Sequence, residues 1–173
     1  RGEVQLFGDD WTTFNDLVGR KGRSLGVLLG VGSGYTVAGP NAPAGTPQHS
    51  GQVTVDLSVG GDGFQAMAYG VWNWAAVGTT QSTWGLMAQA GYFIFEPWQV
   101  YAQYSLVHPF NALTIGTSAF PFKWTNRIKL SLEGALLFNA INSTLVNPTA
   151  ANGWLPADAG NQYSVRAQLQ FGF

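Results

Sequence analysis

Taken at every second position, the chain separates into runs in which one set is apolar and the other small or polar. Successive side chains of a strand point to opposite faces, so each run predicts a strand with one greasy and one wet face. At the C-terminal end, Tyr163, Val165, Ala167, Leu169, Phe171 and Phe173 alternate with Ser164, Arg166, Gln168, Gln170 and Gly172. Over residues 52–60, Val53, Val55, Leu57 and Val59 oppose Gln52, Thr54, Asp56 and Ser58. Residues 25–37 set Leu25, Val27, Leu29, Val31, Tyr35 and Val37 against a face rich in glycine, which leaves that face open.

Residues 60–63 (GGDG) predict a tight hairpin turn. Residues 64–77 then return with Phe64, Ala66, Ala68, Trp72 and Trp74 on the apolar side. Further strands are predicted over residues 84–94, 100–106, 113–119 and 125–139, with turns at 95–97 and 108–109. Loops are predicted at 38–51, where three prolines fall, at 78–82 and at 140–161. The expectation is eight strands within residues 25–173, with short turns at 60–63, 95–97 and 120–124 on one end and the long loops on the other. Residues 1–24 supply a stub strand, in which Val4 and Leu6 alternate with Glu3, Gln5 and Phe7, and a charged segment with Arg20, Lys21 and Arg23.

Composition narrows what such strands can face. Charged residues make up only 10% of the 173, against ~25% in ordinary soluble domains, while aromatics reach 14%. Mean hydropathy is only +0.04, and no run approaches the ~18 apolar residues of a spanning helix. The fold expected is therefore all-β: a transmembrane antiparallel β-barrel with a lipid face and a lumen face. A soluble lipocalin-like carrier is disfavoured, because exteriors of Leu, Val and Trp would aggregate in water. Net charge of −1 argues against nucleic acid as a partner. The first residue is Arg1, not Met, and no leader follows it, so the chain is expected to be processed, trimmed or a fragment.

Several segments carry a resemblance. Asp10-Trp11-Thr12-Thr13-Phe14, Gly91-Tyr92-Phe93, Val100-Tyr101-Ala102-Gln103-Tyr104-Ser105, Phe122-Lys123-Trp124-Thr125 and the run from Val165 through Phe171 resemble the phosphate-selective porin O and P family, in its planctomycete-like version. That resemblance implies the C-terminal part of a longer porin of about sixteen strands, in which residues 1–173 belong to one barrel domain. It also implies a trimer in the bacterial outer membrane, surrounded by lipid and inserted by the barrel-assembly machinery. The ending resembles the closing strand of outer-membrane barrels, which implies an assembly signal at Phe171 and Phe173. Residues 1–24 would then include a periplasmic segment. Phosphate-selective members line their channel with many Arg and Lys; here the inward bases are only Arg127, Lys129 and Arg166, opposed by Asp56 and Glu133. Phosphate specificity is therefore not carried over, and the expected function is a weakly selective, water-filled diffusion channel for small solutes or anions.

The candidate pore-lining residues are Asp56, Arg127, Lys129, Glu133 and Arg166. Glu133 and Lys129 share a face but lie about 13 Å apart along a strand, so Glu133 is expected to pair with a neighbouring strand. The bases either form a positive ring that favours anions or simply solvate a wet wall. His49 and His108 fall in loops with no ligand partners at metal spacing. No Ser stands in a GxSxG setting. No metal, cofactor or enzymatic activity is expected. The alternative is a complete eight-stranded barrel with a structural or adhesive role. Against it, inward positions of Gly, Ser, Thr and Gln are too small to fill so narrow an interior. With the stub the count is odd, so this chain alone is expected not to close.

Overall fold

The computed structural model describes residues 1–8, 14, 21–41, 43, 45–77, 79–107, 110–122, 127–138 and 161–171. They form one antiparallel sheet in the order β1-β2-β3-β4-β5-β6-β7-β8-β9, each strand beside its neighbour in sequence. The strands are β1 (Gly2–Phe7), β2 (Gly26–Val37), β3 (His49–Gly61), β4 (Phe64–Val77), β5 (Thr79–Phe95), β6 (Trp98–Val107), β7 (Phe110–Ala119), β8 (Ile128–Leu137) and β9 (Gln162–Phe171). The sheet is open: β1 pairs only with β2 and β9 only with β8, as the odd count led us to expect. No helix among the described residues is long and apolar enough to cross a membrane, which bears only on helices.

Register carries the period-two pattern coherently across the sheet. Val31 lies opposite Val55, Leu57 opposite Ala68, Ala68 opposite Ala88 and Ala88 opposite Tyr104. Leu113 meets Leu136, and Leu136 meets Tyr163. One face is thus apolar from β1 to β9, as the alternation predicts. Aromatics sit at both margins of that face. On β4 Phe64 and Trp72, on β5 Trp84 and Tyr92, and on β9 Tyr163 and Phe171 are each eight residues apart. Phe64 pairs with Tyr92 and Trp72 with Trp84, with Ala66, Ala68, Ala88 and Ala90 between them.

The apolar face is the open one. Ile115 is 59% exposed and Leu132 53%, whereas on the polar face Asp56 is 5% exposed and Ser118 fully buried. In a single layer, side chains crowd on the concave face and spread on the convex one. The sheet therefore curls toward its polar side.

Five local expectations are corrected. His49, read with residues 38–51 as loop, opens β3 opposite Val37, because the backbone of residues 49–51 pairs with β2 and β4. Residues 79–82, read as part of a loop, belong to β5, and pairing with β4 continues to Val77 opposite Thr79. Backbone pairing is indifferent to a polar run, and polarity alone had suggested a loop. Consequently the end carrying the residue 38–48 connection also holds the shortest one, and loop length does not divide cleanly between the two ends. In β1 a bulge between Gln5 and Phe7 places Phe7 opposite Val27, so Phe7 joins the apolar face instead of alternating with Val4 and Leu6. The strand expected over 125–139 is β8, Ile128–Leu137, which leaves Arg127 just outside it. Arg20, His108 and Phe173 lie outside the described residues.

Two ends can now be told apart. At the near end lie the Asp62–Gly63 turn, with Gly63 at φ 81°, and the Glu96–Pro97 turn. The charged segment docks there: the Gly22 N–H donates to Asp62 Oδ1 at 2.6 Å and Lys21 Nζ donates to the Ile94 carbonyl at 3.5 Å. The far end carries the residue 38–48 connection.

Candidate functional site

The polar face gathers the in-strand charges of the described residues into two groups, each holding both signs. In the first, Asp56 on β3 reaches across β2 toward β1. Arg1 Nη2 donates to Asp56 Oδ2 at 3.1 Å and lies 3.0 Å from Oδ1, while Arg1 Nε donates to Glu3 at 2.7 Å. The carboxylate crosses above Gly30, where any Cβ would strike its oxygens. A buried carboxylate is tolerated here because a guanidinium accompanies it.

The second group runs along one register row. Tyr101 on β6 lies opposite Gly116 on β7, Gly116 opposite Glu133 on β8, and Glu133 opposite Arg166 on β9. The Tyr101 hydroxyl passes over Gly116 and donates to Glu133 Oε2 at 2.8 Å. Glu133 Oε1 faces Arg166 Nε at 3.5 Å. Glu133 therefore pairs with a neighbouring strand and not with Lys129, as strand geometry required. Lys129 Nζ instead stands 5.8 Å from the Tyr101 ring centroid and 6.0 Å from that of Phe120, within cation–π range.

The bases are not assembled into one ring. Lys129 is in register with Gln170 while Arg166 is in register with Glu133, four residues along the strand, about 13 Å. Arg127 is exposed at the near edge and makes its own contact. Phe171 ends β9 on the apolar face, exposed.

Alternation identifies Tyr101 as a polar-face residue but not as the partner of Glu133, because that contact spans two strands and depends on Gly116 between them. Sequence reasoning also missed the apolar patches on this face. Phe93 and Phe120 pack at 5.7 Å between ring centroids near one end, and Phe110 and Leu137 pack toward the other. Beside the first patch Ser118 and Ser131 share a hydrogen bond of 3.1 Å. Gln99 Nε2 is buried there without a hydrogen-bond partner among the described residues. No cluster of three potential metal ligands exists among the described residues.

The row is testable through its central bond. Tyr101→Phe is expected to lower stability by about 1–2 kcal/mol, the range for a hydrogen bond to a charged acceptor that is partly solvated. In a Glu133→Gln background the same change should cost much less. Urea unfolding in lipid vesicles measures both, and equal costs in the two backgrounds would show that the bond is not made.

Comparison of the chain with protein-family models, with curated proteins and with solved structures gave no match, so the resemblance to the phosphate-selective porin family finds no support there.

Proposed function

We propose that this sheet is part of the wall of a transmembrane β-barrel that forms a water-filled, weakly selective diffusion pore of the outer-membrane kind. The observation that carries the reading is the exposed apolar face with aromatics at both margins. Eight residues of strand span about 27 Å, or about 20 Å of height at the 35–45° tilt of barrel strands. That spacing suits an apolar band of about 25 Å between interfacial girdles. A soluble sheet would need a second layer over such a face.

The polar face supports the pore. Its strands carry Gly, Ser, Thr and Gln between the two charge groups, and the sheet curls toward it. Both edge strands need partners in lipid, where unpaired backbone groups cost several kcal/mol each. Because nine antiparallel strands leave β1 and β9 running the same way, an all-antiparallel closure takes an odd number of further strands. That arithmetic favours a larger barrel over the complete eight-stranded one.

Charge pairing sets the selectivity expected. Glu133 offsets Arg166, and Asp56 offsets Arg1, so no ring of one sign crosses the face. The full-length protein in a planar bilayer should give open-channel conductance with a mild ion preference. Replacing Arg127 and Lys129 with Glu, while keeping the Glu133–Arg166 pair, should move the reversal potential toward cations and leave the pore open. Absence of conductance from protein that has folded and inserted would overturn the reading.

A further inference from the structure

We propose that the far end of the polar face, from β2 to β5, is a binding subsite for a neutral polyhydroxylated solute such as a hexose. It deepens the pore reading, on which it rests for the route by which a solute arrives. Two adjacent register rows build the surface. Gly34, Gln52, Asn73 and Thr83 form one, and Thr36, Ser50, Ala75 and Gln81 the other. Together they line an open hollow of about 430 Å³, within the range of small-molecule sites. Gly34 and Ala75 carry no long side chain, so the hollow is floored by backbone and walled by hydroxyls and amides.

The chemistry of the lining selects the ligand. Ser, Thr, Asn and Gln each offer both donors and acceptors, which is what a sugar hydroxyl presents in return. A charged solute would lose hydration here without an opposite charge to compensate it. The neutrality extends beyond the hollow. No Asp, Glu, Lys or Arg occurs between Arg23 and Asp56 or between Asp62 and Glu96, which covers β2, β4, β5 and the residue 38–48 connection. The charges of the described strands lie instead midway along the sheet or toward the near end. Ions and neutral solutes are therefore treated differently along this face: charge pairs meet ions, and the far end hydrogen-bonds polyols.

The test titrates the full-length protein in detergent micelles with D-glucose and, separately, with inorganic phosphate, by calorimetry. Saturable glucose binding with a dissociation constant on the order of millimolar, and much weaker phosphate binding, is expected. Asn73→Leu with Gln81→Leu should weaken glucose binding about tenfold or more, through the loss of two hydrogen-bonding groups. Gln168→Leu, on β9, should change nothing. Should the double variant not fold, Asn73→Ala at the same exposed strand position must weaken binding in the same direction. No saturable glucose response, phosphate binding as tight as glucose, or an equal loss from Gln168→Leu would overturn the subsite. Binding in micelles does not require conduction, so glucose binding without channel activity would sink the pore and leave the subsite standing. Conductance without glucose binding would do the reverse.

Discussion

Leu132→Arg and Val55→Arg are each expected to destabilise the protein in lipid by about 2–4 kcal/mol, the cost of a cation near the bilayer midplane of a barrel. Leu132 pairs with Ala167, which lies midway between Tyr163 and Phe171 on the apolar face. Val55 pairs with Gly70, two residues from Ala68 at the midpoint of Phe64 and Trp72. Leu132 is thus as far from the aromatic margins as the sheet allows and Val55 one strand repeat nearer to one of them, and both side chains are exposed. The neighbouring changes Thr54→Arg and Gln168→Arg put the same charge on the opposite face, where the proposed pore is wet, and should be far milder. Unfolding by denaturant in vesicles measures all four. Equal costs on the two faces would mean that the apolar side does not contact lipid.

Gly116→Leu is expected to cost about 2–4 kcal/mol, although glycine is ordinarily a poor strand residue. A Cβ at Gly116 would meet the Tyr101 ring and hydroxyl, and the Glu133 Cβ as well. The added side chain must therefore displace Tyr101, which combines overpacking with loss of the hydrogen bond to Glu133. In the Tyr101→Ala background the same substitution should become nearly neutral, because the space is then vacant. The comparison is a denaturant titration of the two pairs of proteins. A large cost that persists without Tyr101 would place the strain elsewhere, in the backbone of β7.

Much of the sheet was legible because strand periodicity is local. Val53, Val55, Leu57 and Val59 declare their common face without reference to any other strand, and so do Val165, Ala167 and Leu169. Element limits were less legible. Thr79 to Ser82 read as a loop on polarity, yet β5 begins there because its backbone finds β4. Phe7 changed faces at a bulge that alternation does not anticipate. Among the candidate residues, the pairing of Glu133 with a neighbouring strand followed from strand rise alone, whereas its two partners did not.

The sequence by itself determined which side chains share a face, and that one face is apolar and the other polar, because these depend only on spacing along the chain. The tertiary structure alone decided which residues meet across strands. Gly30 and Gly116 became crossings for Asp56 and Tyr101, and the bases were separated and partnered instead of gathered into a ring. Contacts between strands depend on register and on the curl of the sheet. Those arise from the summed pairing of all nine strands, which no single run of residues encodes.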